Sequence, residues 1–282
     1  MKLVSFEING RVSYGAVVDG KIKDLSRRFG AAYPTIVDYI REAPLQKGEA
    51  LNGEADYALN EVKLLPVVPN PGKIVCIGLN YEAHKQEGVR DPNDKPMLFA
   101  RWPETLIAHG DPMVVPRISE KLDFEAELYA VIGKDTGRYL PVERALETVF
   151  GYSCMNEGSV RDWQRHSSQV TAGKNFVGTG AVGPYIVTAD EVGDPQALDI
   201  ELRLNGAVMQ KANTRDMIWS IAEMISYITN WLPLRPGDCL ATGTPEGVGS
   251  RRTPPLFMKA GDVVEVEIEK VGLLRNDVVR EA

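Results

Sequence analysis

Leu122-Asp123-Phe124-Glu125-Ala126-Glu127-Leu128-Tyr129-Ala130-Val131-Ile132-Gly133 alternates and is rich in apolar residues, the pattern of a β-strand. Side chains on a strand alternate between faces, so Glu125 and Glu127 point the same way. Phe124, Ala126, Leu128 and Ala130 take the opposite, core-facing side. Two like charges side by side on one strand face repel. A divalent cation held by oxygen ligands is the simplest agent that would offset the repulsion. A solvated, functionless strand face is the ordinary alternative for a bare E-x-E.

Outward from this segment the chain reads as mostly short strands: Ile74–Gly78, Val149–Cys154, Tyr185–Val187, Leu198–Leu204, Cys239–Thr242 and Val263–Lys270. Asn9-Gly10, Asp19-Gly20 and Asn205-Gly206 mark tight hairpins. One amphipathic helix is predicted from about Asp216 to Asn230, and another over Thr35–Arg41. Pro66, Pro69 and Pro71 mark a connecting stretch, which predicts a small N-terminal domain over 1–68 and a larger domain over 69–282. The expected class is α/β and β-rich, without a regular βαβ repeat.

Composition excludes several classes. With 282 residues and a formal net charge of −7 there is no basic footprint for nucleic acid. No apolar run approaches membrane-spanning length, and the segment from Met1 lacks a signal-peptide core, so a cytoplasmic protein is expected. Cys76, Cys154 and Cys239 are scattered, lack zinc-site spacing, and read as small buried residues.

Four further constellations carry chemistry. Gly151-Tyr152-Ser153-Cys154-Met155-Asn156-Glu157 ends a strand with a carboxylate, and Ser159-Val160-Arg161-Asp162-Trp163-Gln164 begins a helical turn. Glu157 there could complete a facial oxygen set with the first two acids. In Gly78-Leu79-Asn80-Tyr81-Glu82-Ala83-His84-Lys85-Gln86-Glu87, His84 and Glu87 are i and i+3, neighbours on one helix face. A carboxylate beside an imidazole suits a general base. Gly173-Lys174-Asn175-Phe176 presents a loop lysine. Leu240-Ala241-Thr242-Gly243-Thr244-Pro245-Glu246-Gly247-Val248-Gly249 opens a strand into a Gly-rich turn able to hold a carboxylate, and it lacks a Walker A lysine.

The order of these pieces resembles the fumarylacetoacetate hydrolase family, over about residues 70–280. That resemblance implies a mixed β-sandwich roll with a small N-terminal domain, assembled as a homodimer. It implies Mg²⁺ or Mn²⁺ bound by Glu125, Glu127 and Glu157, and water activation by His84 with Glu87. It places Arg161, Gln164 and Lys174 around a developing oxyanion, and Thr244 on a substrate carboxylate. Gly243 belongs to the same turn, and Arg101 and Asn175 are polar candidates for contacting substrate. The implied activity is metal-dependent hydrolysis of a carbon–carbon bond in a 2,4-dioxo acid, such as an acylpyruvate, fumarylpyruvate or 2,4-diketo-3-deoxy sugar acid, giving pyruvate and a second acid. The runner-up is decarboxylation or isomerisation of an oxo-diacid at the same metal site; a third reading is a catalytically inactive ligand-binding homologue. The expected partner is a small oxo-acid, with no nucleic acid or membrane. The chain departs from the family's commoner Asp at Glu157, which is one methylene longer.

Overall fold

The computed structural model describes residues 1–42, 53–82 and 95–282. Among them, twelve strands form one large sheet. Along its path run Tyr57–Ala58, Lys21–Asp24, Arg11–Val18, Lys2–Ile8, Gly180–Thr188, Val149–Glu157, Ala126–Ile132, Cys239–Ala241, Ile74–Gly78 and Met97–Ala100. Most neighbours are antiparallel; Cys239–Ala241 and Ile74–Gly78 run parallel. A second sheet of five strands, Ala207–Asn213, Asp199–Leu204, Val263–Ile268, Gly272–Arg280 and Met113–Val115, packs over the first. The mixed, β-rich class expected from the sequence is the class observed.

The alternation at 122–133 survives, with one difference. Every residue of Ala126–Ile132 is buried, so the strand is covered on both faces. Phe124, Ala126, Leu128, Ala130 and Ile132 pack into the larger core together with Ile221, Met224, Ile225 and Ile228. Tyr129 and Val131 point into a second core on the other side. Glu125 and Glu127 lie on this second side, toward the start of the strand. The Asn-Gly and Asp-Gly pairs turn as expected, with positive φ at Asn9, Gly10, Asp19, Gly20, Asn205 and Gly206.

The first strand joins the large sheet directly, with Lys2 opposite Val187 and Leu3 opposite Ile186. Met1, Leu3, Tyr14 and Ala16 share a core with Cys76, Tyr129, Val131 and Met155. The helix expected from Asp216 spans Ile221–Thr229. Its start is set by Ser220, whose hydroxyl accepts from the Glu223 amide while the Glu223 carboxylate accepts from the Ser220 amide. Just upstream, the Ile218 and Trp219 amides are taken by the carbonyl and side-chain oxygens of Asn80, at 2.7 and 2.9 Å. No helix among the described residues is long and apolar enough to cross a membrane.

All three cysteines are buried and free. Burial pushes the Cys239 thiol up to about 12 and those of Cys76 and Cys154 well above the usual range, which leaves them inert as nucleophiles. A thiol reagent is expected to titrate essentially no cysteine in the native protein and all three after unfolding in urea. Rapid labelling of the native chain would contradict this packing.

Candidate active site and metal centre

Glu127 stands on Ala126–Ile132, Glu157 closes the neighbouring strand Val149–Glu157, and Glu125 lies just before the first of these. The antiparallel register sets Ala126 opposite Asn156 and Glu127 opposite Met155. The Glu157 amide donates to the Glu125 carbonyl at 2.8 Å, and the Glu125 amide to Asn156 Oδ1 at 2.9 Å. This pairing carries the third acid to the first two: one oxygen from each of Glu125, Glu127 and Glu157 lies within 4.8 Å of the others.

These acids are 4%, 2% and 0% exposed. Burying an unpaired carboxylate costs several kcal/mol, so the partners decide whether the cluster is tenable. The Lys174 ammonium bridges Glu125 and Glu157, lying 2.5 Å from Glu125 Oε2. Arg161 Nη2 donates to Glu125 Oε1 and its Nε to Asp123 Oδ2, both at 2.7 Å. Arg101 Nε donates to Glu157 Oε1 at 2.7 Å. Four carboxylates thus face three cations. Glu127 is the acid left without a cationic partner among the described residues; its one donor is the Gly243 amide, at 2.8 Å.

The electrostatics follow. Burial, then repulsion from Glu157 and Glu125, holds the Glu127 carboxyl well above the usual range. Burial also raises Glu157, against the pull of Arg101 and Lys174. Burial alone would lower Lys174, but Glu125 and Glu157 overcome it and keep the ammonium charged above its ordinary value. A hard divalent ion, with ligand bonds of about 2.0–2.6 Å, fits a set of carboxylate oxygens with that mutual spacing. It would also supply the positive charge that Glu127 lacks.

The Glu157 carboxylate, one methylene further from the backbone than an Asp carboxylate would be, is held by Arg101. That arginine is 1% exposed, and its Nη2 donates to the Gly158 carbonyl at 2.7 Å. Gly158 itself is required by close approach: a Cβ there would lie 2.2 Å from the Thr179 carbonyl oxygen. Gly243 is fixed likewise, with φ of 96° and the Cβ of Asn80 2.6 Å from where its own would stand.

A cavity of about 350 Å³ opens onto Glu125, Glu127, Arg161, Gln164, Lys174 and Thr244. Six of the residues singled out in the sequence therefore share one space. Glu157 lies beneath it, fully buried. Gly243 acts through its amide on Glu127. Arg101 and Asn175, expected against substrate, do not line the cavity. Arg101 is spent on Glu157, Gly158 and the Thr105 and Thr179 hydroxyls. Asn175 ties its loop together through the Trp102 amide and the Ala100 and Thr171 carbonyls. His84 and Glu87 lie outside the described residues.

Three positioning residues had no role in the sequence reading. Asp123 accepts from the Gly249 and Ser250 amides at 2.7 and 2.9 Å as well as from Arg161. Gln210 accepts from the Ala126 amide and donates to Thr244 Oγ1, each at 2.9 Å. Asn80 Nδ2 donates to the Thr242 carbonyl at 2.7 Å. Asp123 had a signal in its place in the D-x-E-x-E run and Asn80 in the Gly78-Leu79-Asn80-Tyr81 stretch, though neither was given a role; Gln210 had none, because its contacts are distant in sequence.

The fumarylacetoacetate hydrolase C-terminal family model matches residues 73–279. The chain belongs to the fumarylacetoacetate hydrolase family. It is 38% identical over 281 residues to a 2,4-didehydro-3-deoxy-L-rhamnonate hydrolase of a Sphingomonas species, covering 99% of this chain and 96% of the relative. A mitochondrial oxaloacetate tautomerase of Xenopus laevis is 36% identical over 294 residues, covering 99% and 90%. The crystal structure of maleylpyruvate hydrolase from Sphingobium sp. SYK-6 with manganese and pyruvate superposes with a TM-score of 0.84 at 34% identity, covering 100% of both chains. These relatives are enzymes, and they include both hydrolases and a tautomerase.

Two predictions test the buried charges. A carboxyl whose folded-state pKa is raised favours folding below its unfolded pKa, and that contribution is lost as pH rises through the folded pKa. The metal-free protein is therefore expected to lose melting temperature between pH 5 and pH 8 relative to Glu127→Gln, and Mn²⁺ to restore the wild type far more than the variant. Parallel pH profiles in thermal melts would contradict this. Arg101→Met, which leaves Glu157 with Lys174 as its one cation among the described residues, is expected to cost about 3–5 kcal/mol in urea unfolding, with Arg101→Lys recovering only part.

Proposed function

We propose that this protein is a divalent-cation-dependent hydrolase that cleaves the C3–C4 bond of a 2,4-dioxo acid, releasing pyruvate and a second carboxylic acid. The observation that carries this reading is the cavity lined by two acids of the cluster, Glu125 and Glu127, together with Arg161, Gln164, Lys174 and Thr244. Two hydrolases similar along nearly their whole length support it, one of them crystallised with manganese and pyruvate.

Glu125, Glu127 and Glu157 would hold Mg²⁺ or Mn²⁺. When bound, the ion supplies Lewis-acid polarisation at the 1-carboxylate and 2-oxo end and countercharge for an enolate. The protein's own groups are set for the rest. Thr244 Oγ1 accepts from Gln210, which leaves its hydroxyl proton to donate to a substrate carboxylate. Gln164 Oε1 accepts from Arg161 Nη1 at 3.0 Å, which turns the amide NH₂ toward donation. That NH₂ and the Lys174 ammonium are donors for the oxyanion that develops at C4. The family resemblance assigns proton removal from the attacking water to His84, assisted by Glu87. The C3–C4 bond then breaks with its electron pair delocalised into the 2-oxo group, and C3 is later protonated.

A second reading, tautomerisation or isomerisation of an oxo-diacid at the same site, is favoured by the Xenopus relative. It needs the enolate-stabilising groups and no attacking water. Pyruvate release from acetylpyruvate, fumarylpyruvate, maleylpyruvate and oxaloacetate, with Mg²⁺ or Mn²⁺ and after chelation, separates the two. Cleavage of a dioxo acid that stops on chelation is expected, with Gln164→Ala lowering kcat about 10²–10³-fold. Enol–keto conversion of oxaloacetate without cleavage of any dioxo acid would overturn the hydrolase in favour of the tautomerase.

A further inference from the structure

Two arginines on the cavity wall have no part in the chemistry above. Arg165 and Arg251 both line the space, and among the described residues neither side chain has an ion-pair or hydrogen-bond partner. Several exposed arginines elsewhere are paired, Arg27 with Asp56, Arg41 with Asp38, Arg144 with Glu147 and Arg280 with Glu120. Among the described residues the Arg117 and Arg235 side chains are not, but neither lines the cavity, so what distinguishes Arg165 and Arg251 is that they share it. In a chain of net charge −7, two unneutralised guanidinium groups beside one cavity run against the overall balance.

Their placement is built into the scaffold. Arg165 follows directly on the helical turn Arg161–Gln164, and Arg251 ends the turn Gly249–Arg251. Asp123 fastens both turns: one of its oxygens accepts from the Gly249 amide, the other from the Ser250 amide and Arg161 Nε. One buried carboxylate thus sets the backbones that carry the two arginines beside the same space. The guanidinium fork matches a carboxylate with two parallel hydrogen bonds. Val170 and Val248 on the same wall are apolar and do not compete for the charge.

We propose that Arg165 and Arg251 form a subsite for a second, distal carboxylate, so that the preferred substrate is a 2,4-dioxo diacid rather than an acylpyruvate with an uncharged tail. This rests on the hydrolase reading for the chemistry at the near end. The acid released with pyruvate would then itself be a dicarboxylate.

The test compares kcat/KM for fumarylpyruvate and acetylpyruvate in the Mn²⁺-loaded wild type, Arg165→Met and Arg251→Met. A hydrogen-bonded charge pair contributes about 1.5–3 kcal/mol, so each variant is expected to lower the fumarylpyruvate-to-acetylpyruvate ratio by about 10–100-fold, mainly through KM. An unchanged ratio would overturn the subsite while leaving the hydrolase standing. If no dioxo acid is cleaved, the hydrolase reading fails, and a binding measurement still decides the subsite. Calorimetry on the Mn²⁺-loaded protein should show 2-oxoadipate binding about tenfold or more tighter than 2-oxohexanoate, a difference lost in the double variant; equal affinities in the wild type would refute it.

Discussion

A cluster of buried charge organises this protein. Asp123, Glu125, Glu127 and Glu157 are held against Lys174, Arg161 and Arg101 in a region almost closed to water. Such an arrangement is tenable only if every partner arrives with hydrogen-bonding geometry, because the low dielectric penalises each unmatched group. The strand register delivers Glu157 beside Glu125. The turn at Thr242–Thr244 delivers one amide to Glu127 and a hydroxyl to the cavity. Glu127 is the acid that finds no cationic partner among the described residues, and burial beside Glu157 and Glu125 raises its pKa accordingly.

Rigidity around the cluster comes from its position between two cores. The strand that bears Glu127 packs Leu128, Ala130 and Ile132 on one side and Tyr129 and Val131 on the other. A carboxylate on such a strand has little freedom to retreat from its neighbours. Side-chain ties complete the frame, with Asn80 holding the Thr242 carbonyl and Gln210 linking Ala126 to Thr244.

Much of this was legible in the sequence, because it depends on local pattern. Period-two alternation put Glu125 and Glu127 on one face, and the Asn-Gly and Asp-Gly pairs marked hairpins that the backbone confirms with positive φ. The linear order of motifs identified the family. What stayed hidden depends on contacts across the fold. Alternation says which side chains share a face, not whether a second core covers that face, so the burial of both acids did not follow from it. Arg101 looked like a polar substrate contact because nothing near it in sequence announces Glu157, 56 residues on. The start of the helix at Ile221 was written in Ser220 and Glu223, but the apolar pattern upstream masked it until the Asn80 contacts explained why Ile218 and Trp219 stand outside.

The fastening of two turns by Asp123 has an evolutionary consequence. Their backbones are anchored by main-chain amides and a buried ion pair, neither of which depends on the identity of the side chains at 165 and 251. A lineage can therefore exchange those two side chains by single mutations while the floor of the site stays intact. Substrate preference at the rim and the charge cluster beneath it are thus mechanically separable in this scaffold.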